Sequence, residues 1–138
     1  MNQTGTFPSP VGGLLEDRMW RGIDDGRMAL PFCQACARAV YPPSGCCPHC
    51  LRTELPWRPL SGMGRIVSWT RFHRTYLPEY PAPYTVVAVA LAEGPVMVSR
   101  LLGPEPANDE WIGLAVRMCY AQFDKGRKLP CFRLAAET

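Results

Sequence analysis

Four cysteines form two Cys-x-x-Cys pairs, Cys33 with Cys36 and Cys47 with Cys50, and ten residues separate the pairs. Thiolates are ligands that zinc takes in structural sites, and each short Cys-x-x-Cys turn directs two of them towards one point. Four such ligands leave no position open for water, so the pattern predicts a structural zinc site rather than a catalytic one. Tetrahedral sulfur sites also accept iron, so the sequence leaves both metals open.

Three further cysteines complete the set of seven. Cys46 could replace Cys47 as a ligand, but the Cys-x-x-Cys spacing and Pro48 favour Cys47. Disulfides or plain buried thiols are the alternatives to a metal site, although an odd number of cysteines cannot all pair within one chain. Because clustered cysteines in a reducing compartment are typical of metal ligands, we expect a cytoplasmic protein. Cys119 and Cys131 lie among apolar residues and are interpreted as small core residues.

A second cluster combines aromatic and basic residues along one predicted strand: Arg65, Trp69, Arg71 and Arg74, with His73 between the last two. Such groups suit single-stranded nucleic acid, by stacking and charge, and they equally suit the adenine and phosphates of coenzyme A. We take the three arginines and the tryptophan as candidate coenzyme A contacts. The alternative is that Trp69 packs in the core or an interface while the arginines are solvated. His73 is interpreted as a surface or interface histidine, and no catalytic residue is predicted.

The elements that position these residues differ along the chain. Apolar residues between positions 13 and 30 recur at helical spacing and predict a short amphipathic helix that ends near Gly22 or Gly26. The stretch 31–57 is rich in cysteine, proline and glycine and has no helical period, as expected of a metal ribbon.

Five short stretches in the remainder of the chain predict strands, and turn signals separate them. Strict alternation in the first of them places Trp69 and Arg71 on the face opposite Ile66. Short strands without intervening helices favour a small OB-fold-like barrel, with a small sandwich as the alternative. The predicted strands are 65–74, 84–91, 96–102, 115–123 and 129–134. We therefore expect a mainly β protein with a flexible tail (1–12), a helix (13–30), a zinc ribbon (31–57) and a five-stranded barrel (58–138).

Composition supports a folded chain without a membrane span. The 138 residues are 47% hydrophobic and 20% charged, which allows one buried core and argues against disorder. No stretch approaches the ~20 apolar residues that cross a bilayer. The first ten residues lack the basic start and apolar run of a signal peptide. A net charge of +3 is small for a nucleic-acid-binding protein and suits an anionic ligand equally well.

Taken in order, the motifs resemble the acyl-CoA-associated OB-fold family with an N-terminal rubredoxin-like zinc ribbon, formerly a domain of unknown function. The resemblance covers nearly the whole chain from about residue 14 to residue 134. The sequence departs from the family at two positions. Cys46 is an extra cysteine, and Leu51 stands where family members often have a glycine after the second Cys-x-x-Cys turn, or knuckle. The matching segments are Trp20-Arg21-Gly22, the two cysteine pairs, Tyr41-Pro42-Pro43, 64–70, Ala82-Pro83-Tyr84, Glu93-Gly94-Pro95 and Ile112-Gly113.

The resemblance implies an accessory subunit that is not catalytic alone. It is expected to assemble with a thiolase-superfamily subunit, either a thiolase, a lipid-transfer-type thiolase or an aldolase, and to stabilise that partner while shaping or shielding its acyl-CoA site. A hot-dog-fold acyl-CoA hydratase is the alternative partner. The four ribbon cysteines match the family's metal ligands, and no catalytic residue carries over. The helix around Trp20 and the strand 85–91 are predicted to contact the partner.

Two functional alternatives remain from the residues alone. The first is a nucleic-acid-binding module, since ribbons and OB-folds both serve that role, although the low charge and the presence of only two lysines count against it. The second is that the chain itself binds acyl-CoA.

Overall fold

The computed structural model describes residues 12–123 and 126–135, so most of the predicted tail (1–12) lies outside the described residues. One helix is followed by eight strands in two antiparallel sheets. Within the described ranges, no helix has the length and apolar character needed to cross a membrane. The elements are α1 (Leu14–Asp24), β1 (Ala29–Cys33), β2 (Arg38–Ala39), β3 (Trp57–Pro59), β4 (Met63–Phe72), β5 (Tyr84–Leu91), β6 (Val96–Arg100), β7 (Ala115–Gln122) and β8 (Lys128–Leu134).

The helix α1 is short, and the barrel holds its C-terminal end. The chain leaves the helix through Gly26, whose φ of 73° is one that glycine adopts without steric cost. This is one of the two predicted end points. Asp24, the last residue of α1, accepts two hydrogen bonds from residues near the start of β8. Arg127 donates to its carboxylate (Nη2 to Oδ2, 2.9 Å), and Lys128 donates to its backbone carbonyl (Nζ to O, 3.2 Å). An isolated helix of eleven residues would be marginal, so these contacts and its buried face stabilise it.

The ribbon contains a three-stranded sheet in the order β2-β1-β3, which the sequence analysis did not predict. Leu30 pairs with Arg58 and Phe32 pairs with Ala39, so β1 lies between its two neighbours. The pairing of β1 with β3 joins residues that are far apart along the chain, so local periodicity carries no signal for it, whereas β1 and β2 form a local hairpin around the first cysteine pair. Strand β1 begins at Ala29, so the predicted helical zone (13–30) also contains the start of a strand.

The second sheet has the strand order β6-β5-β4-β7-β8 and curls into a nearly closed barrel. Its two outermost strands meet where Leu101 forms a parallel bridge with Phe132. The backbone N–H of Leu102 donates to the carbonyl of Phe132 at 2.8 Å. This strand order and the parallel closure are those of a five-stranded OB-fold barrel, and closure protects the sheet edges. The predicted fold class is confirmed.

A β-bulge in β4 changes which side chains point into the barrel. Ile66 pairs with Val89 and Trp69 pairs with Val87, and both valines are fully buried. Residues paired across antiparallel strands share a face, so Ile66 and Trp69 both point inwards. The alternation predicted through this strand is therefore wrong beyond the bulge. One inserted residue reverses the pattern, and the sequence gives no sign of it.

A single apolar core joins the helix, the ribbon and the barrel. Ile23 of α1 and Leu30 of β1 belong to the same buried cluster as Val87 and Phe132 of the barrel. Trp69 packs against this cluster from the inner side of β4. The ribbon and the barrel consequently share one hydrophobic interior and hold each other in position.

Candidate metal centre

The two knuckles bring four cysteine sulfurs together, all within 4.8 Å of one another. The Sγ atoms of Cys33 and Cys50 are 3.6 Å apart, and those of Cys36 and Cys47 are 3.8 Å apart. A tetrahedral zinc site with Zn–S bonds of ~2.3 Å has sulfur–sulfur edges of about 3.8 Å. These separations exceed the ~2.05 Å of a disulfide bond. The residues are free thiols in an arrangement that fits a tetrahedral metal ion.

Backbone geometry explains how each knuckle aims its sulfurs. The N–H of Cys36 points at the sulfur of Cys33, and the N–H of His49 points at the sulfur of Cys47, each at 3.4 Å. Such N–H groups stabilise negative charge on the sulfur. The residue after each knuckle has a left-handed backbone: φ is 55° at Ala37 and 65° at Leu51. Each knuckle therefore closes through a conformation that glycine would adopt more easily.

The pKa values of two thiols in the site, Cys47 and Cys36, are shifted in opposite directions. Burial opposes ionisation of Cys47, but hydrogen bonds from the backbone N–H groups of Cys50 and His49 prevail and lower its pKa to about 6. Cys36 has its pKa raised to about 12, chiefly by its side-chain hydrogen bond with Cys50 and by burial. Without a metal, Cys47 holds negative charge at neutral pH while Cys36 keeps its proton. A metal ion must displace the proton of Cys36 to bind four thiolates.

The remaining cysteines lie outside this group. Cys46 is not among the four clustered sulfurs, and its backbone N–H donates to the hydroxyl of Ser44 at 3.4 Å. Cys119 and Cys131 are cross-strand neighbours on β7 and β8. Burial raises the pKa of Cys131 to about 11, which keeps it a thiol at neutral pH.

Trp69 and Arg71, two of the four predicted coenzyme A contacts, share the inner face of β4, where Trp69 is partly buried and Arg71 is exposed. Trp69 stacks on Trp111, with ring centroids 4.0 Å apart and an interplanar angle of 13°. Arg71 forms an ion pair with Glu105, and its Nε donates to the hydroxyl of Thr85 at 3.4 Å. The same hydroxyl donates to Glu105 at 2.7 Å, so all three side chains form one network.

The other two predicted contacts lie elsewhere. Arg65 precedes the bulge and points outwards, where its Nη1 donates to the carbonyl of Gly113 at 3.0 Å. Arg74 follows β4, with its guanidinium 6.0 Å from the ring centroid of Tyr76. His73 is exposed and lines a cavity of about 370 Å³ together with Arg71, Pro83, Tyr84, Thr85 and Glu105.

Sequence reasoning missed Glu105 and Thr85, the partners of Arg71. Glu105 lies between two prolines in a loop, and Thr85 lies in a run of valines and alanines, so neither carries a recognisable motif. Trp111, which stacks on Trp69, was also missed, because its contact depends on the fold of a distant loop.

Comparison with known proteins agrees with this geometry. The family model described as the ChsH2 rubredoxin-like zinc ribbon domain matches residues 20–56, and the model described as the ChsH2 C-terminal OB-fold domain matches residues 57–121. A solved structure described as an Ltp2-ChsH2(DUF35) aldolase has a TM-score of 0.79 and 30% sequence identity, covering 93% of this chain and 100% of that chain. The chain belongs to the ChsH2 (DUF35) family. The resemblance found in the sequence is thereby confirmed.

Two curated relatives extend the comparison of this ChsH2-family chain. The probable enoyl-CoA hydratase alpha subunit of Thermomonospora curvata is 34% identical over 109 residues, which is 79% of this chain and 34% of the relative. The DUF35 domain-containing scaffold protein of Pyrococcus furiosus is 32% identical over 68 residues, covering 49% of this chain and 50% of the relative. The chain thus spans half or less of the length of these relatives.

Proposed function

We propose that this chain is an accessory subunit, not catalytic alone, of a thiolase-superfamily complex that acts on acyl-CoA. In this role it stabilises the catalytic subunit and shapes or shields its acyl-CoA site. The observation that carries the proposal is the match to the Ltp2-ChsH2(DUF35) aldolase, which extends over the full length of that chain. The scaffold description of the Pyrococcus relative supports the same role.

The four ribbon cysteines, Cys33, Cys36, Cys47 and Cys50, are proposed to hold zinc in this complex. The sulfur separations fit its tetrahedral geometry, and all four positions are filled by protein thiols. A zinc ion in such a closed site contributes folding energy and binds no substrate. In this proposal the zinc ion stabilises the fold of the ribbon, whose buried residues Leu30 and Ala39 belong to the same apolar core as those of the barrel.

The test is co-expression with the thiolase-superfamily subunit of the same organism. We expect that subunit to be more soluble, and more active in acyl-CoA carbon–carbon bond formation or cleavage, when this chain is present. A catalytic subunit that is equally soluble and active without this chain would contradict the proposal. Cytoplasmic location belongs to the same proposal, and fractionation of cells would test it.

A second candidate partner is an acyl-CoA hydratase. The 34% identity to the probable enoyl-CoA hydratase alpha subunit supports it. In that case, co-expression with this chain would increase the rate at which the hydratase hydrates an enoyl-CoA. Parallel co-expression with the two candidate partners distinguishes the two roles, because only the true partner gains solubility and activity.

Coenzyme A contact through Arg65, Trp69, Arg71 and Arg74 is a separate proposal. Arg71 would exchange Glu105 for a phosphate, since the ion pair now occupies its guanidinium. Calorimetric titration of coenzyme A into the protein and its Arg71→Ala variant tests this exchange, and equal heats would contradict it.

The nucleic-acid alternative finds less support in the geometry. Single-stranded nucleic acid needs aromatic rings that are free to stack on bases. Trp69 instead stacks on Trp111 inside the barrel. A single-stranded oligonucleotide that binds with a steep salt dependence would restore this alternative.

A further inference from the structure

A shallow hollow of about 270 Å³ lies on the outer face of the barrel, where β4 runs beside β5 and β7. Ala90 of β5 and Ala115 of β7 both pair with Arg65 of β4, so these three residues form one row across the sheet. Val96, the cross-strand neighbour of Ala90 on β6, extends the row and is 52% exposed. The small alanine side chains create the hollow. Its wall consists of Met63, Gly64, Arg65, Ala90, Ala92 and Ala115.

Arg65 lies in the wall of this hollow and Arg117 lies beside it, and neither forms an ion pair with another described residue. Arg117 pairs with Met63 across β4 and β7, and Arg133 pairs with Arg117 across β7 and β8. The guanidinium of Arg133 lies beside Gly103, which is not part of the wall of the hollow. Neither ion pair found in residues 12–123 and 126–135 includes Arg65, Arg117 or Arg133. Among the described residues, Arg65 in the wall of the hollow and Arg117 beside Met63 are therefore two exposed cations with no carboxylate within 4.0 Å.

We propose that this surface docks an acidic segment of the catalytic partner. One large apolar side chain of that segment fills the alanine-lined hollow, and neighbouring carboxylates pair with Arg65 and Arg117. Stable interfaces are often anchored by an apolar side chain in a pocket, surrounded by a polar rim of this kind. This inference rests on the proposed function and specifies which face of the barrel serves it.

Two variants of different chemistry test the surface in the complex of the full chain with its thiolase-superfamily partner. Ala90→Leu fills the hollow from the solvent side, and Arg65→Glu combined with Arg117→Glu reverses the rim charge. The matched controls are Ala107→Leu and Arg52→Glu, which change exposed residues elsewhere. Thermal unfolding and zinc content of each variant show that it remains folded. Affinity for the partner is measured by calorimetry at two salt concentrations.

We expect Ala90→Leu to weaken partner binding about tenfold, and the double charge reversal to weaken it about tenfold or more and to remove most of its salt dependence. Both controls should bind as wild type does. If wild type binds the partner and the two surface variants bind it equally well, the inference is overturned while the proposed function stands. If wild type itself does not bind, the proposed function fails and this inference fails with it. If the Arg52→Glu control loses as much affinity for the partner as the double charge reversal does, the inference is also overturned.

Discussion

The ribbon and the barrel reach a fixed structure by different means. The barrel interior is closed by large apolar side chains such as Ile66, Val89 and Phe132, all fully buried. In the ribbon, two of the fully buried side chains are the sulfur-bearing Cys33 and Cys47. Apolar burial stabilises a closed sheet without help, whereas a small ribbon needs a metal ion to supply its folding energy. The difference predicts that the two parts respond to different perturbations.

Loss of the metal site has the largest expected effect, and it is confined to the ribbon. Cys47→Ser should abolish stoichiometric zinc binding and unfold the ribbon, because structural zinc contributes roughly 10–16 kcal/mol in comparable small domains. The strands of the barrel should persist. Elemental analysis and hydrogen exchange of the separate segments measure the two effects. Cys46→Ser is the control and should retain one zinc. Retention of zinc by Cys47→Ser with loss in Cys46→Ser would assign the ligands differently.

Damage to the barrel core should show the opposite pattern. Phe132→Ala leaves a cavity in the shared core and should lower the free energy of unfolding by about 3–5 kcal/mol. Zinc content at low temperature should stay at one equivalent, because none of the four clustered cysteines belongs to the shared apolar cluster. Denaturant unfolding and elemental analysis check this result. Loss of zinc in the folded variant would show that the two parts are more tightly coupled than this comparison implies.

A smaller effect is expected where the ribbon backbone is strained. Leu51 holds a left-handed backbone with φ of 65° and is 71% exposed, so its side chain contributes little burial. The left-handed conformation costs an L-residue about 1–2 kcal/mol, and glycine returns about 0.5–1 kcal/mol through its greater chain entropy in the unfolded state. Leu51→Gly should therefore raise the stability of the zinc-bound protein by about 0.5–1 kcal/mol in thermal unfolding. Leu51→Ala keeps the Cβ atom and should give no gain. A destabilised glycine variant would contradict this account.

A separate effect, on metal binding rather than on folding of the zinc-bound protein, is the pH dependence of metal affinity. Cys36, with its pKa raised to about 12, is protonated at neutral pH without metal, so zinc binding releases its proton and affinity falls as pH falls. Cys47, with its pKa lowered to about 6, is already a thiolate at pH 7 and adds a further loss only as pH approaches 6. Competition with a zinc chelator from pH 8 to pH 5.5 should show a slope that steepens near pH 6. A flat profile would contradict this reading of the thiols.

The same contrast explains how much could be predicted from the sequence. The clustering of the four cysteines could be predicted from local spacing, and the strand 84–91 was predicted with the bounds that β5 has. The ribbon sheet was missed because β1 pairs with a distant strand, β3, and because the short β1–β2 hairpin lies in the cysteine-containing stretch that was interpreted only as a metal ribbon. The inward turn of Trp69 and Arg71 was also missed, because it depends on a one-residue bulge. Glu105, the partner of Arg71, lies in a loop whose position only the closed barrel determines.

The most direct test of the account is native mass spectrometry of the chain purified together with its thiolase-superfamily candidate. We expect a hetero-oligomer with one zinc ion for each copy of this chain. We also expect that a chelator removes the zinc before the barrel unfolds. A chain that stays monomeric beside the catalytic subunit, or that assembles with it while holding no metal, would contradict the central claim that this zinc ribbon and barrel form an assembly module.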